Sequence, residues 1–144
     1  MHDAWPGWFA AAVAERRRSR WVAARGALEV ALETAPGAGP VHTELAHVLL
    51  ETDDAAAALT HARRGASLDT ESWRALTVLA RALAASGHRK EALGAVNRAL
   101  ALRPDDAEAK AALESFGRPA KSSRGPWARG LLRARAAWRR LTEA

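Results

Sequence analysis

The sequence predicts an all-α protein, specifically an α-solenoid of stacked helix–turn–helix units. Two observations support this fold class. Apolar residues recur at helical spacing on two faces within 73–106, and a Ser-Gly-His turn separates those faces. The same pattern of small and large residues returns every 34 residues without a gap. Two short helices cannot bury both apolar faces alone, so the units are expected to stack on one another.

The 34-residue period divides most of the chain into three repeats, which cover 5–38, 39–72 and 73–106. Small residues recur where two helices must cross closely, and larger ones lie between them. The alanines at these positions are Ala12, Ala46, Ala80, Ala24, Ala58, Ala92, Ala31 and Ala99. Gly65 is a departure, because the first and third repeats have alanine at its position.

This period and pattern resemble the tetratricopeptide repeat (TPR), a 34-residue helix–turn–helix unit. Trp8 and Leu45 match large positions of that unit, and Pro36 and Pro104 match its closing proline, which Thr70 replaces in the second repeat. The resemblance implies a right-handed solenoid. It also implies that the first helices of successive repeats line a concave groove, which binds an extended or helical segment of another protein.

Local signals place the helix ends. Pro6 and Pro40 occupy the same early position in the first two repeats, where proline is favoured in the first turn of a helix. The second helices are expected to begin near Ser19 and Asp53, which are good N-cap residues, while Gly87 fills the equivalent turn in the third repeat.

The last part of the chain departs from the repeat. Asp105 and Glu108 predict a capping box for a seventh helix at about 106–116, which would cover the open end of the third repeat. The residues that follow, GRPAKSSRGP, are typical of a flexible linker. The predicted organisation is a solenoid over 1–117, a linker over 118–126 and a further helix over 127–142.

Basic charge is concentrated in this tail. The chain has a net charge of +6, but 1–117 hold 14 Lys+Arg against 15 Asp+Glu, so the repeats are nearly neutral. The predicted tail helix is amphipathic, with an apolar stripe on one side and arginines opposite. The tail residues expected to dock are Trp127, Leu131, Trp138, Leu141, Arg129, Arg133, Arg139 and Arg140. Four uses stay open: capping the solenoid, docking on a partner protein, lying on an anionic membrane, and holding nucleic acid phosphates.

The groove that the resemblance implies can be assigned position by position. Its predicted residues are Phe9, Val13, Thr43, Glu44, His47, Arg74, Thr77, Val78 and Arg81. In the functional interpretation, these residues form a mixed binding groove. Its apolar end lies at Phe9 and Val13, and its cationic end lies at Arg74 and Arg81. The alternative is a set of ordinary solvated helix faces with no ligand.

One subclass of the family can be tested directly. Chaperone-binding members hold a C-terminal carboxylate with lysine, asparagine and arginine side chains. The matching positions here are Phe9, Val13, Glu44, Arg74 and Val78, and only Arg74 fits. Glu44 would repel the carboxylate, so this clamp is absent.

Other chemistry is not indicated. His42 and His47 flank a glutamate but lie five residues apart, about 140° around a helix, so they do not share a face as a zinc-protease pair must. No phosphate loop or nucleophile elbow occurs, and we expect neither metal, cofactor nor catalysis. The basic run RRRSR at 16–20 is interpreted as a solvated turn.

Two functions therefore compete. The first is a protein–protein interaction adaptor that binds a peptide or helix of a partner in the groove. The second is a surface-targeting module whose tail binds anionic membrane or nucleic acid. No apolar run approaches the roughly 18 residues of a membrane span, and a cytoplasmic location is expected.

Overall fold

The computed structural model of the protein describes residues 5–117. These residues form seven helices: α1 (Trp5–Arg17), α2 (Trp21–Thr34), α3 (Gly39–Glu51), α4 (Ala55–Leu68), α5 (Trp73–Ala85), α6 (Arg89–Leu102) and α7 (Ala107–Gly117). Each repeat is one helical hairpin, and α7 packs against α5 and α6. The predicted all-α solenoid is confirmed. The predicted linker and tail helix, 118–142, lie outside the described residues.

The small-residue positions explain why the hairpins stack. All eight alanines that recur at the 34-residue period have no exposed surface, and Gly65 is buried with them. A residue without a long side chain lets two helix backbones approach closely. Larger apolar residues such as Leu28, Leu49 and Leu83 fill the space between these crossings. Leu59 and Leu79 each pack against both core clusters, so the apolar interior is continuous from repeat to repeat.

The helices form two rows. The odd-numbered helices contact one another in succession, from α1 to α3, α5 and α7. Among the described residues, the even-numbered helices α2, α4 and α6 make no such contacts with each other. The odd row is therefore the shorter one, and its exposed side is the concave, inner face of the solenoid. Any groove must be built from α1, α3, α5 and α7.

The turn inside each hairpin repeats its backbone conformation although its sequence changes. Ser19, Asp53 and Gly87 occupy the same repeat position, with φ angles of 56°, 60° and 86°. The prediction that Ser19 and Asp53 cap the next helix is wrong, because the caps are the following residues, Arg20 and Asp54. The carboxylate of Asp54 accepts a hydrogen bond from the first turn of α4. The turn requires a left-handed backbone conformation at this position, and glycine adopts that conformation without strain.

Substitutions at this position are expected to change stability in opposite directions. Ser19→Gly should raise the free energy of unfolding by roughly 0.5–1 kcal/mol, because a serine side chain is strained at positive φ. Gly87→Ala should lower it by a similar amount. Urea denaturation followed by helical circular dichroism measures both. Equal stability of Gly87→Ala and the parent chain would contradict the role assigned to this turn.

The seventh helix covers the end of the third repeat, with a different cap from the predicted one. The side chain of Asp106, not Asp105, accepts a hydrogen bond from the amide of Ala109 at 2.9 Å. Glu108 pairs with Arg81 of α5 and so takes part in no capping box with Asp105.

In the described part of the chain, no helix has the length and apolar character that crossing a membrane requires.

Candidate binding groove on the inner face

A cleft opens on the inner face where α1, α3 and α5 meet. Its volume is about 160 Å³, comparable with the roughly 150 Å³ of an apolar cavity that admits benzene. Its lining residues are Phe9, Gly39, Pro40, Thr43, Glu44, Asp69, Ser72, Arg74 and Ala75. The first turn of α3 borders the cleft. Pro40 is tolerated there because an amide hydrogen in the first turn of a helix has no acceptor within the helix. The cleft has the size of one apolar side chain.

A buried carboxylate joins the three helices beside this cleft. The side chain of Glu44 is only 1% exposed, and it pairs with Arg16 of α1 and with Arg74 of α5. The Arg74 Nη2 atom donates to Glu44 Oε2 at 2.9 Å, and Arg16 Nε donates to the other oxygen. Both carboxylate oxygens are therefore satisfied by cations from the neighbouring repeats. Glu44 ties α1 and α5 to α3.

A second polar cluster lies further along the inner face, around Arg81 of α5. Its guanidinium contacts Glu51 of α3 at 3.1 Å and Glu108 of α7 at 3.4 Å. It also approaches Nδ1 of His47 at 3.1 Å. An arginine has no acceptor atom, so His47 must accept this hydrogen bond at Nδ1 and carry its own proton on Nε2. Arg81 thus links its own helix α5 to α3 and to α7.

The ionisation of His47 follows from this position. Burial lowers the pKa of His47 below its ordinary value of 6.5, and the positive charge of Arg81 lowers it further. Glu44 and Glu108 oppose part of this effect, and Arg16 adds to it. His47 is therefore held in the neutral form that accepts the bond from Arg81.

The structure separates the nine predicted groove residues into distinct environments. Phe9, Thr43, Glu44 and Arg74 line the cleft. His47 and Arg81 belong to the second polar cluster, and Val13 is half-buried at the repeat position that these two residues share. The expectation for the last two residues is wrong, because Thr77 and Val78 are both only 1% exposed and face the interior.

The predicted cationic end of the groove also needs correction. Arg74 is paired with Glu44, and Arg81 is paired with Glu51 and Glu108. Acidic side chains from adjacent helices therefore compensate both charges. The sequence predicts a cationic end at Arg74 and Arg81, whereas in the fold each of these two arginines has an acidic partner.

Three residues of these clusters were not predicted. Arg16 belongs to the basic run that was interpreted as solvated, yet it reaches the buried Glu44. Glu51 and Glu108 were not assigned to the groove, and both contact Arg81. Their separations from their partners, 28, 30 and 27 residues, are all shorter than the 34-residue period. The sequence signal for these contacts is therefore a pair of opposite charges whose separation is a few residues shorter than one repeat.

His42 and His47 lie in different surroundings. Across residues 5–117, no three His, Cys, Asp or Glu side chains form a group that could hold a metal ion. His42 points away from His47, towards His61 of α4 and the carbonyl of Pro36. These two histidines therefore serve different contacts.

Comparisons with known proteins agree with this architecture. Residues 49–115 match the sequence model of the tetratricopeptide repeat family. The Arabidopsis OM64 TPR domain is 19% identical, with a TM-score of 0.73, and the match covers 79% of this chain and 94% of that domain. Among curated proteins, none matches the sequence significantly.

Two further solved structures have the same arrangement. A mutant O-GlcNAc transferase from Thermobaculum terrenum is 25% identical, with a TM-score of 0.77, and the match covers 81% of this chain but 23% of that enzyme. The second TPR domain of human RPAP3, solved in complex with an HSP70 peptide, is 13% identical, with a TM-score of 0.70. That match covers 80% of this chain and 99% of the domain.

Fold and inner face together define a helical-repeat protein with a groove along its first helices. The resemblance in the sequence is confirmed by the matching family and by the solved structures of the same fold. The described residues have the tetratricopeptide repeat fold, with three helical hairpins and a capping helix.

Proposed function

We propose that the protein is a non-catalytic interaction adaptor, which binds a peptide or helix of a partner protein along its inner face. The observation that carries this proposal is the cleft between α1, α3 and α5. Phe9, Pro40 and Ala75 give it apolar walls, and its volume of about 160 Å³ suits one side chain of the partner. A curved face with a pocket that holds one side chain is suited to binding an extended or helical segment.

The charges of the inner face restrict the kind of segment. A ligand carboxylate would need an arginine with free donors, but Glu44 occupies the donors that Arg16 and Arg74 direct inwards. Displacing Glu44 would leave a buried negative charge without a partner, which is costly. We therefore infer that the groove selects an apolar anchor rather than an acidic terminus.

This inference sets the protein apart from the second TPR domain of human RPAP3. The human RPAP3 domain is in complex with an HSP70 peptide. Glu44 stands at the matching position of the carboxylate clamp, where it takes hydrogen bonds from Arg16 and Arg74 that a bound carboxylate would need. The partner of this protein is accordingly expected to use an internal segment or an uncharged helix face.

A substitution that leaves the ion pairs intact gives the cleanest test. Arg81→Glu would disrupt a structural cluster, and Phe9 packs against the core, so neither is suitable. Val13→Glu changes a half-buried inner-face position outside both clusters. Peptides selected on the full chain by phage display should bind this variant at least about tenfold more weakly, a loss of about 1.4 kcal/mol.

The chain provides a matched control for this experiment. Val22 lies on α2, in the outer row, and is 86% exposed. Val22→Glu makes the same chemical change on the opposite face and should leave the affinity of the selected peptides unchanged. Equal binding by Val13→Glu and Val22→Glu would overturn the groove as the binding surface.

A further inference from the structure

Two histidines face each other inside the second repeat. His42 of α3 and His61 of α4 have ring centroids 5.4 Å apart, and their Nδ1 atoms are separated by 3.2 Å. The Nε2 atom of His42 lies 2.8 Å from the carbonyl oxygen of Pro36, in the segment that joins the first repeat to the second. His42 is buried, His61 is partly buried, and Pro36 is exposed.

The positions of the protons follow from these contacts. A carbonyl oxygen can only accept, so His42 must donate to Pro36 from Nε2. In the neutral ring its Nδ1 is then an acceptor, and His61 must donate to it from its own Nδ1. A first additional proton can enter at Nε2 of His61 without breaking this bond. A second would have to enter at Nδ1 of His42, where two N–H groups would then face each other.

The repeat itself shows that the fold does not require this polar pair. Thirty-four residues further along the chain, Leu76 and Ala95 occupy the same two positions, and both are buried. There, leucine and alanine belong to one apolar core cluster, where the second repeat has the two histidines. The pair is thus an addition to the repeat, at a place where an apolar contact is sufficient.

The surroundings oppose a positive charge on His61. Burial lowers the pKa of His61 below its ordinary value of 6.5, and His42 and Arg25 of α2 lower it further. Glu29 of α2 opposes part of this effect. A lowered pKa means that the folded chain binds fewer protons than the unfolded chain below pH 6.5, so stability is complete above that pH and falls as the pH decreases.

We propose that the His42–His61 pair is an acid-sensitive latch, which holds α3 against α4 within the second repeat while the pair carries at most one added proton. Acidification first charges the pair and then breaks the bond between the two rings. The two charged rings then repel each other and the contact between α3 and α4 loosens at this point, while His42 can still donate from Nε2 to Pro36. This device is separate from the binding groove and does not depend on the proposed function.

The residues of the third repeat provide the decisive variant. The double substitution His42→Leu and His61→Ala installs the pair that already fits the same positions there. Urea denaturation is followed at about pH 7.5 and at about pH 5, which bracket the ordinary histidine pKa. The midpoint of the parent chain should fall between these conditions by more than that of the variant. His47 and the other histidines are common to both chains, so the difference isolates the pair, and equal shifts would overturn the latch.

Measurements on the parent chain alone test the same idea if the variant does not fold. Nitrogen NMR of the imidazole rings at about pH 7.5 should show His42 protonated on Nε2 and His61 on Nδ1. On acidification, amide protection should decrease at His42 more than at Leu76, its counterpart in the third repeat. The opposite tautomers, or an equal loss of protection at the two amides, would overturn the proposal.

Discussion

Replacing Glu44 with alanine is expected to lower the free energy of unfolding by roughly 3 kcal/mol, near the lower end of the range for breaking a buried ion pair. The carboxylate is almost completely buried, and it accepts hydrogen bonds from two arginines on different helices. Its removal leaves Arg16 and Arg74 facing each other without an anion. Their side chains are 19% and 43% exposed and can turn partly towards water, which limits the loss.

The measurement is urea denaturation followed by circular dichroism, with an exposed pair as the control. Glu29 of α2 pairs with Arg25 one turn away, and both side chains are about half exposed. Glu29→Ala should therefore cost only about 0.3–0.5 kcal/mol. A loss for Glu44→Ala no larger than that for Glu29→Ala would show that the buried carboxylate does not tie the three helices together.

The fold was predictable from the sequence because its main requirement is a periodic one. Helices can cross closely only where side chains are small, and this condition places alanine or glycine at fixed positions of every repeat. Those alanines have no exposed surface in the structure. One period, read without any gap, was therefore sufficient to define the hairpins and their stacking.

The candidate site was predicted less well, because charge pairing depends on side-chain reach rather than on period. Arg16 was assigned to a solvated turn, yet its side chain extends to the next repeat and meets Glu44. Arg81 was assigned to ligand binding, yet Glu51 and Glu108 converge on it from the helices on both sides. Helix spacing gives the face on which a residue lies, but it does not give the partner that a flexible side chain reaches.

The helix caps show a different limit of sequence analysis. Serine and aspartate are frequent N-cap residues, and the sequence offered Ser19 and Asp53 in the expected region. Both residues align with Gly87 in the repeat, and this alignment correctly indicates a turn position rather than an N-cap, since the three residues share a left-handed backbone. Comparing the repeats at this position is more informative than the propensity of either residue alone.

Gly65→Ala is the second substitution with a large expected effect, and it explains the departure from alanine seen in the sequence. A Cβ atom at this position would lie 2.5 Å from Oγ1 of Thr43 and 3.1 Å from its backbone nitrogen. It would also lie 3.3 Å from the carbonyl oxygen of Gly39, the first residue of α3. The two helices of the second repeat are therefore too close at this point for an alanine.

The expected result is a loss of roughly 1–3 kcal/mol in the free energy of unfolding, because overpacking a tight contact forces backbone movement. Gly94 of α6 provides the control, since it is also inside a helix but a Cβ there would meet nothing within 4 Å. Gly94→Ala should stabilise the chain by up to about 1 kcal/mol, because alanine favours helix over glycine. Opposite signs for the same substitution would separate steric contact from helix propensity.

A second substitution can identify the atom responsible. Adding Thr43→Ala to Gly65→Ala removes the Oγ1 atom that would lie at 2.5 Å, while the contacts to the backbone of residue 43 and to Gly39 persist. The double variant should therefore recover part of the loss relative to Thr43→Ala alone, and the coupling between the two substitutions should be about 0.5–3 kcal/mol. If Gly65→Ala costs as much with alanine at position 43 as with threonine, the close backbone approach of α3 and α4 alone determines the glycine. In either case the second repeat differs from its neighbours because its two helices cross where only glycine leaves room.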